Sequence, residues 1–409
     1  MRRVVITGMG IVSPLGNDVS TFWNNLKAGK CGISEITSFP IDDFPVRLAG
    51  EIKNFNPEDY GVDKTLIRRS DRFTHFALVA AKQAMEDSQL EIDPERLGVY
   101  IGSGVGGIHT FYSESKKLLE NGMGWVSPLF IPTMISNIAA GNVAITYKAE
   151  GPCLPIVTAC ATGTHSIGEA YRTIKHGYAD AIITGGTEAS VTPLAIGGFA
   201  NAKALSRSTD PLSASIPFDL RRQGFVLGEG AGILILEEYE HAKNRNAKIY
   251  AEVCGYGNTC DAYHYTAPKP DASTAARAMK LALEEAGYTP DDVLYINAHG
   301  TSTPLNDKTE TLAIKLALGE EIAHKTLISS TKSMTGHMLG AAGAAELIAS
   351  VMSINEKIVP PTIGLLVPDP ECDLDYVPLK ARKIDLTIVI SNSLGFGGHN
   401  GTLAIRNIT

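Results

Sequence analysis

The chain reads as an α/β protein of layered sheets built from two similar halves. Short apolar runs of four to six residues alternate with alanine-rich helical stretches, the pattern of buried strands covered by helices. A segment around residue 84 recurs around residue 282. The 409 residues also exceed one compact core, so two or three domains, or one large duplicated fold, are expected.

Strands are expected at 3–7, 97–101, 181–184, 232–236, 249–255, 294–297, 388–391 and 402–405. Helical patterns run near 74–87, 163–176, 272–286, 308–318 and 340–355. The repeat is explicit. Ala84-Met85-Glu86-Asp87 leads through Pro94 into Leu97-Gly98-Val99-Tyr100-Ile101-Gly102-Ser103-Gly104. Ala282-Leu283-Glu284-Glu285 leads through Pro290 into Leu294-Tyr295-Ile296-Asn297-Ala298-His299-Gly300, with the two prolines 196 residues apart. Small-residue loops beginning at Cys160 and Ser333 each feed an alanine-rich helix as well. Two halves, 1–250 and 251–409, meeting face to face would gather their loops around one site.

Composition narrows the function. Lys and Arg number 36 against 44 Asp and Glu, a net charge of −8. That argues against a general nucleic-acid or anionic-membrane binder, while leaving room for a local basic patch on which an acidic partner docks. The opening Met1-Arg2-Arg3 precedes too short an apolar run for a signal peptide. Residues 121–147 carry no charge, yet Pro128, Pro132 and scattered Ser and Asn make a poor lipid-facing helix. A buried segment lining a pocket or a subunit interface is expected there. The six cysteines show neither C-x-x-C nor zinc spacing, so a reduced, cytoplasmic protein without a metal site is expected.

Two glycine stretches imitate a dinucleotide fingerprint. Gly8-Met9-Gly10-Ile11-Val12-Ser13 lacks the third glycine and runs into Pro14. Gly102-Ser103-Gly104-Val105-Gly106-Gly107 does match G-x-G-x-x-G, but no acidic strand end follows at the required distance. A nicotinamide-dependent dehydrogenase is the alternative these glycines keep open.

Cys160 is the candidate nucleophile. A free cysteine in an apolar stretch is ordinarily core, and Cys31, Cys153, Cys254, Cys260 and Cys372 are read so. Cys160 differs: it follows a strand-like run, 154–159, and opens a helix through Ala161, Thr162, Gly163 and Thr164. At a helix N-terminus the dipole and free N–H groups favour thiolate, so a lowered thiol pKa is expected. Those N–H groups also suit an oxyanion on an attacked thioester. His299 and His337 stand out because each sits between a strand and small, hydroxyl-rich residues, with Lys332 five positions before His337. His165 is expected on the helix flank, away from the thiol. The other histidines at 75, 109, 176, 241, 264 and 324 read as surface or packing residues. Residues 391–400 read as a flexible loop joining two strands.

Four motifs then occur in order: Thr158-Ala159-Cys160-Ala161-Thr162-Gly163, Asn297-Ala298-His299-Gly300-Thr301-Ser302-Thr303-Pro304, Lys332-Ser333-Met334-Thr335-Gly336-His337 and Gly395-Phe396-Gly397-Gly398. Together they resemble the β-ketoacyl-[acyl-carrier-protein] synthases, over nearly the whole chain and most of all the type II elongating members. The resemblance implies the thiolase fold, a five-layered α-β-α-β-α sandwich of duplicated halves, and a homodimer. It implies that Cys160 takes an acyl chain from acyl carrier protein as a thioester. His299 and His337 would promote loss of CO2 from malonyl-carrier protein and stabilise the enolate. The N–H groups of Cys160 and Phe396 would form an oxyanion hole, and Lys332 would fix the His337 loop and the local charge. Thr301 and Thr303 would hold the phosphopantetheine arm, so no separate cofactor is expected, and Phe396 would gate the pocket. Initiating synthases have asparagine at the place of His337, thiolases have a second cysteine, and chain-length factors lack Cys160. Leu394 departs from the phenylalanine common in the family. A non-catalytic scaffold of the same fold is the remaining alternative.

Ile108, Phe130, Ile131, Ile135 and Phe199 are the apolar candidates for the acyl pocket, with Ile108 facing Phe396. Lys64, Arg68, Arg69 and Arg72 cluster at helical spacing, and Lys203 and Arg207 add a second basic pair. They are the expected docking surface for acidic acyl carrier protein.

Overall fold

Nine strands join edge to edge, and the order in which they join is the same in both halves of the chain. The structure, a computed structural model, describes residues 1–408. The strands are β1 (Val4–Val12), β2 (Leu97–Gly102), β3 (Ala181–Glu188), β4 (Gly230–Glu238), β5 (Ala251–Cys260), β6 (Leu294–Asn297), β7 (Leu327–Ser329), β8 (Ile388–Gly395) and β9 (His399–Arg406). Their spatial order is β2-β3-β4-β1-β5-β9-β8-β6-β7. Outward from the β1–β5 join, each half runs through its first, fifth, fourth, second and third extended segments. In the first half that third segment is a single bridge, Cys153 to Val99, where the second half has β7. Only Val4–Ile6 of β1 pair with Ala251–Val253 of β5 to join the halves.

The main helices are α1 (Arg72–Ser88), α2 (Ile108–Asn121), α3 (Ile138–Tyr147), α4 (Thr162–Lys175), α5 (Ser273–Glu285), α6 (Pro304–Leu318) and α7 (Ala342–Glu356). α1 and α3 cover the outer face of the first sheet region, and α5 covers the second with α6 against it. α4 and α7 lie between the two and touch both, which makes five layers. Neighbouring strand residues confirm the layering: Ile182 packs with α4 and α7, whereas Ile183 packs with α1. In the second half Val389 faces the centre, while Ile388 and Ile390 face α5. Strands covered on both faces need apolar residues at every position, hence the continuous runs.

The expected elements are present, with strand ends misjudged at glycines. β1 runs through Gly8 and Gly10 to Val12, and β5 through Gly255 and Gly257 to Cys260. A Cβ on Gly8 or Gly10 would lie 2.2 or 2.0 Å from the carbonyl oxygens of Ala84 and Ala80 in α1. On Gly255 or Gly257 it would lie 2.0 or 1.8 Å from those of Ala282 and Ala278 in α5. Each half thus seats its outer helix backbone on a glycine pair of its first strand. The opening glycine stretch is a packing device.

Other expectations are corrected. The run 154–159 is not a strand: beyond the bridge at Cys153 it follows the open sheet edge without strand pairing and ends in the turn at Ala159, with Leu154 51% and Val157 49% exposed. The uncharged segment is exposed or half-buried on the single chain, Trp125 and Ile131 among the exposed, and only Ala139, Ala140 and Val143 in α3 are buried, so it does not line a buried pocket. Cys153 and Cys260 are exposed rather than core. Residues 391–400 lie almost wholly in β8 and β9, leaving a tight Phe396-Gly397-Gly398 turn whose glycines have φ of 84° and 77°. Among the described residues, no helix is long and apolar enough to cross a membrane.

Gly10→Ala and Gly257→Ala should each destabilise the protein by at least roughly 2 kcal/mol in urea unfolding, because backbone cannot yield as a side chain can. Wild-type stability in either variant would show that the helices do not rest on these glycines.

Candidate active site

The N-terminal ends of α4 and α7 meet at the centre of the molecule. Gly163 and Gly343 let them approach: a Cβ on Gly163 would lie 2.9 Å from Gly340 O and Ala344 N, and one on Gly343 2.1 Å from Thr164 Oγ1. Ahead of each helix is one 3₁₀ turn, Ala159–Ala161 before α4 and Leu339–Ala341 before α7. Both open on a non-glycine residue in the left-handed region, Ala159 at φ 51° and Leu339 at φ 44°. The first turn carries Cys160, and His337 lies just before the second. His299 follows β6, and Phe396 heads the β8–β9 turn.

These residues share one cavity of about 590 Å³. Cys160, His299, His337, Thr301, Thr303 and Phe396 all line it, as do Phe199 and Lys203. The N–H groups of Phe396 and of Cys160 itself face the Cys160 sulfur. The rings of His299 and His337 stand edge to face, centroids 5.4 Å apart. Leu339 N–H donates to Nδ1 of His337 at 3.3 Å, so the neutral ring carries its proton on Nε2, which is buried without a partner. Nδ1 of His299 is likewise unpartnered. The Thr301 and Thr303 hydroxyls are 2.8 Å apart.

Burial governs the charge states. It pushes the Cys160 thiol up to about 12; Lys332 and the two N–H groups pull the other way without prevailing. The expected lowering is therefore overturned: desolvation of a thiolate outweighs a helix terminus. Burial, then the Lys332 charge, holds both histidines well below the ordinary imidazole value. The site rests as a neutral thiol beside neutral imidazoles.

Lys332 does not line the cavity. Its Nζ donates to His299 O at 2.6 Å and pairs with Glu346, both side chains almost fully buried. It therefore fastens the His299 loop, although it belongs to the His337 segment. Ile108 packs against the apolar cluster that includes Cys160 and Leu339 without lining the cavity, and Phe130, Ile131 and Ile135 are not on its wall. Arg72 leaves the basic cluster: its guanidinium pairs with Glu229 at 2.8 Å and lies over Phe76. Lys64, Arg68, Arg69, Lys203 and Arg207 are exposed, Lys64 meeting Glu58 at 3.0 Å. His165 joins Thr158 Oγ1 at 2.8 Å to Asn400 O at 3.3 Å, clear of the cavity as expected.

Several supporting side chains escaped the sequence reading. Glu310 accepts the N–H groups of His299 and Gly300, each at 2.8 Å. Phe225 packs edge-on against His337, centroids 5.3 Å apart. Glu188, buried at the end of β3, accepts from Ser103 Oγ and Gly104 N–H at 2.9 Å and from Val105 N–H at 3.3 Å. The amides that a dinucleotide phosphate would need are thus taken by a carboxylate, and the dehydrogenase reading falls. An acid within β3, where both neighbouring layers are apolar, was the one available signal.

The family model described as beta-ketoacyl synthase, N-terminal domain, matches residues 1–242, and its C-terminal domain counterpart matches 250–366. The chain is a β-ketoacyl synthase. A 3-oxoacyl-[acyl-carrier-protein] synthase 2 of Staphylococcus aureus (strain COL) is 53% identical over 99% of this synthase and 98% of its own length. One from Synechocystis is 52% identical with the same coverage. Among solved structures, a type II polyketide acyl-carrier protein in complex with its ketosynthase matches at TM-score 0.93 and 37% identity, covering 100% of both chains. A beta-ketoacyl synthase from Burkholderia phymatum STM815 matches at 0.92 and 36%, again over 100% of both. The five layers of this synthase are the thiolase fold.

Because burial holds the thiol protonated, alkylation of Cys160 by iodoacetamide should keep accelerating to about pH 10, past the ordinary thiol value of about 8.5. A plateau below pH 8, read by mass spectrometry of the Cys160 peptide, would mean that the helix terminus governs after all.

Proposed function

We propose that this synthase is an acyltransferase that elongates fatty acids by condensing an acyl group, held on Cys160, with malonyl-[acyl-carrier-protein]. The products are 3-oxoacyl-[acyl-carrier-protein], CO2 and free carrier protein. One observation carries the reading: a buried thiol faced by two backbone N–H groups shares a cavity with two neutral imidazoles, each with one ring nitrogen left without a partner. The relatives named 3-oxoacyl-[acyl-carrier-protein] synthase 2 support the same reaction.

The residue roles follow from chemistry. Cys160 sulfur attacks the acyl thioester carbonyl while the N–H groups of Cys160 and Phe396 receive the developing oxyanion. The thiol proton leaves with the departing pantetheine sulfur. Malonyl thioester then enters, and its C–C bond to the carboxylate breaks as CO2 departs. The electron pair passes into an enolate whose oxygen accepts from Nε2–H of His337, with His299 beside it. A neutral donor stabilises that oxygen without protonating the carbanion. The carbanion attacks the acyl carbonyl, and the Cys160 sulfur leaves and regains a proton. Lys332, through His299 O and Glu346, is a positioning residue. Thr301 and Thr303 are suited to the amides of the pantetheine arm, and Phe396 to gating between it and the acyl pocket. Phe199 on the cavity wall and Ile108 against the apolar cluster that includes Cys160 are its apolar candidates.

We read the chain as two halves, 1–250 and 251–409, supported by the repeated strand order. A homodimer is supported by the open sheet edge at Cys153 and the exposed apolar side chains of Trp125, Ile131, Leu154 and Val157. A nucleophilic thiol that must stay reduced suits the cytoplasm. Acyl carrier protein is the partner, and Lys64, Arg68, Arg69, Lys203 and Arg207 are its proposed docking surface. Arg69 adjoins the exposed apolar segment, its carbonyl accepting from Thr133 Oγ1 at 3.3 Å.

Cys160→Ser should abolish condensation. His299→Ala and His337→Ala should leave acyl loading of Cys160 largely intact while suppressing CO2 release from malonyl-carrier protein, followed with labelled malonate. Failure of both histidine variants at loading would overturn the division of roles.

Reversing Arg68 and Arg69 to glutamate should raise KM for carrier-protein substrates and flatten its salt dependence, since rim charges act over a Debye length of about 8 Å. Turnover of small pantetheine thioesters should hardly change. Equal damage to both substrate types would assign the arginines to the fold.

A further inference from the structure

The two halves carry the same turn at their meeting point but treat it in opposite ways. Cys160 and Gly340 are the middle residues of equivalent 3₁₀ turns. Strand β8, ending at Gly395, is the counterpart of β3, ending at Glu188, each strand having 8 residues. Gly395 lies against the Cys160 turn, where an added Cβ would be 3.3 Å from Cys160 N, and leaves that amide free to face the cavity. At the corresponding place Glu188 delivers a carboxylate, and Oε2 accepts Gly340 N–H at 3.1 Å and Gly104 N–H at 2.9 Å. Oε1 takes the hydroxyls of Ser103 and Ser190 at 2.9 and 3.1 Å and Val105 N–H at 3.3 Å. Glu188 is fully buried and faces no cationic partner; its five ligands are N–H and O–H donors. The second half thus contains the counterpart of the Cys160 amide, Gly340 N–H, and it is taken up by the protein's own anion.

The place of that anion gives it a task. Leu339, the residue before Gly340, holds a left-handed conformation that strains a non-glycine residue and persists only where the surroundings impose it. Its N–H is the one that fixes Nδ1 of His337 as an acceptor. We propose that Glu188 is a positioning residue for His337: by capturing Gly340 N–H it sets the Leu339 turn, and so the tautomer that presents Nε2–H to the cavity. Through Gly104 and Val105, which line the same cavity, it also fixes that wall relative to His337. The inference rests on the condensing reading given above.

Reach and charge make opposite predictions here, and that supplies the test. Glu188→Gln keeps an oxygen at the same reach for Gly104 and Gly340, with its NH2 turned to the serine hydroxyls and only the longest bond, from Val105 N–H, given up. Glu188→Asp keeps the charge but is one methylene short. The probes are CO2 release from malonyl-carrier protein, alkylation of Cys160 by iodoacetamide, and long-range 1H–15N correlations of the His337 ring. Wild-type protein is measured first, and absence of CO2 release there would sink the condensing reading itself. Glu188→Gln should retain most of the CO2 release. Glu188→Asp and Glu188→Ala should lose at least about tenfold, the effect of roughly one buried amide left without an acceptor. Alkylation should stay within about twofold, and the His337 proton should distribute over both ring nitrogens. Sodium formate should restore Glu188→Ala saturably, whereas chloride at equal ionic strength should not. Wild-type release by Glu188→Asp, or loss of release and alkylation together in Glu188→Ala with no formate response, would overturn the proposal. If Glu188→Ala does not fold, the Asp and Gln pair decides the matter alone.

Discussion

Everything at the centre of this synthase depends on how closely α4 and α7 approach. Gly163 faces Gly340 O and Ala344 N, and Gly343 faces Thr164, with no room for a methyl group on either side. That contact fixes the spacing between the two 3₁₀ turns, and with it the spacing between the thiol on one and the imidazole beside the other. Sheets above and below are built so that these two helices need only small residues where they cross. A packed interior transmits such a constraint with little give.

Burying the site this deeply has an electrostatic consequence that shapes the chemistry. Buried in this way, the thiol and both imidazoles are most stable uncharged, and charge is confined to the surrounding Lys332–Glu346 pair, Glu310 and Glu188. Burial raises the Glu346 carboxyl to about 7 against the pull of Lys332. A buried ion pair of this kind is weak evidence for stability, but here it carries a hydrogen bond to His299 O as well. The site has no need to store a thiolate at rest. It needs N–H groups placed where negative charge appears during reaction, and such preorganised dipoles act most strongly where water is absent.

The fold was legible because strands covered on both faces betray themselves as unbroken apolar runs, and because the Pro94 and Pro290 units repeat. Glycine misled two strand ends, since Gly8, Gly10 and Gly257 fall outside the expected strands 3–7 and 249–255 but serve close packing inside β1 and β5. Cys160, His299 and His337 were legible because reactive groups stand on small-residue loops. The acids behind them were not. Glu310 and Glu346 sit on helices, where a glutamate is unremarkable, and their importance arises only from amides and an ammonium brought in from distant segments. The thiol's charge state was misread because a helix terminus is visible in sequence and the depth of burial is not.

The strand order also sets a timetable for making the molecule. Of the nine strands β1 leaves the ribosome first, yet its neighbours are β4 and β5, with Val12 opposite Ala231 and Val4 opposite both Glu238 and Val253. At synthesis rates of about 5–20 residues per second, its partners emerge roughly ten to fifty seconds later. For that interval nine buried-type residues have no native strand to pair with, and α1 has only half a floor beneath it. The nascent first half therefore lives as an open sheet with sticky edges. Shielding those edges until residue 253 is made is thus a demand that the topology places on folding during synthesis.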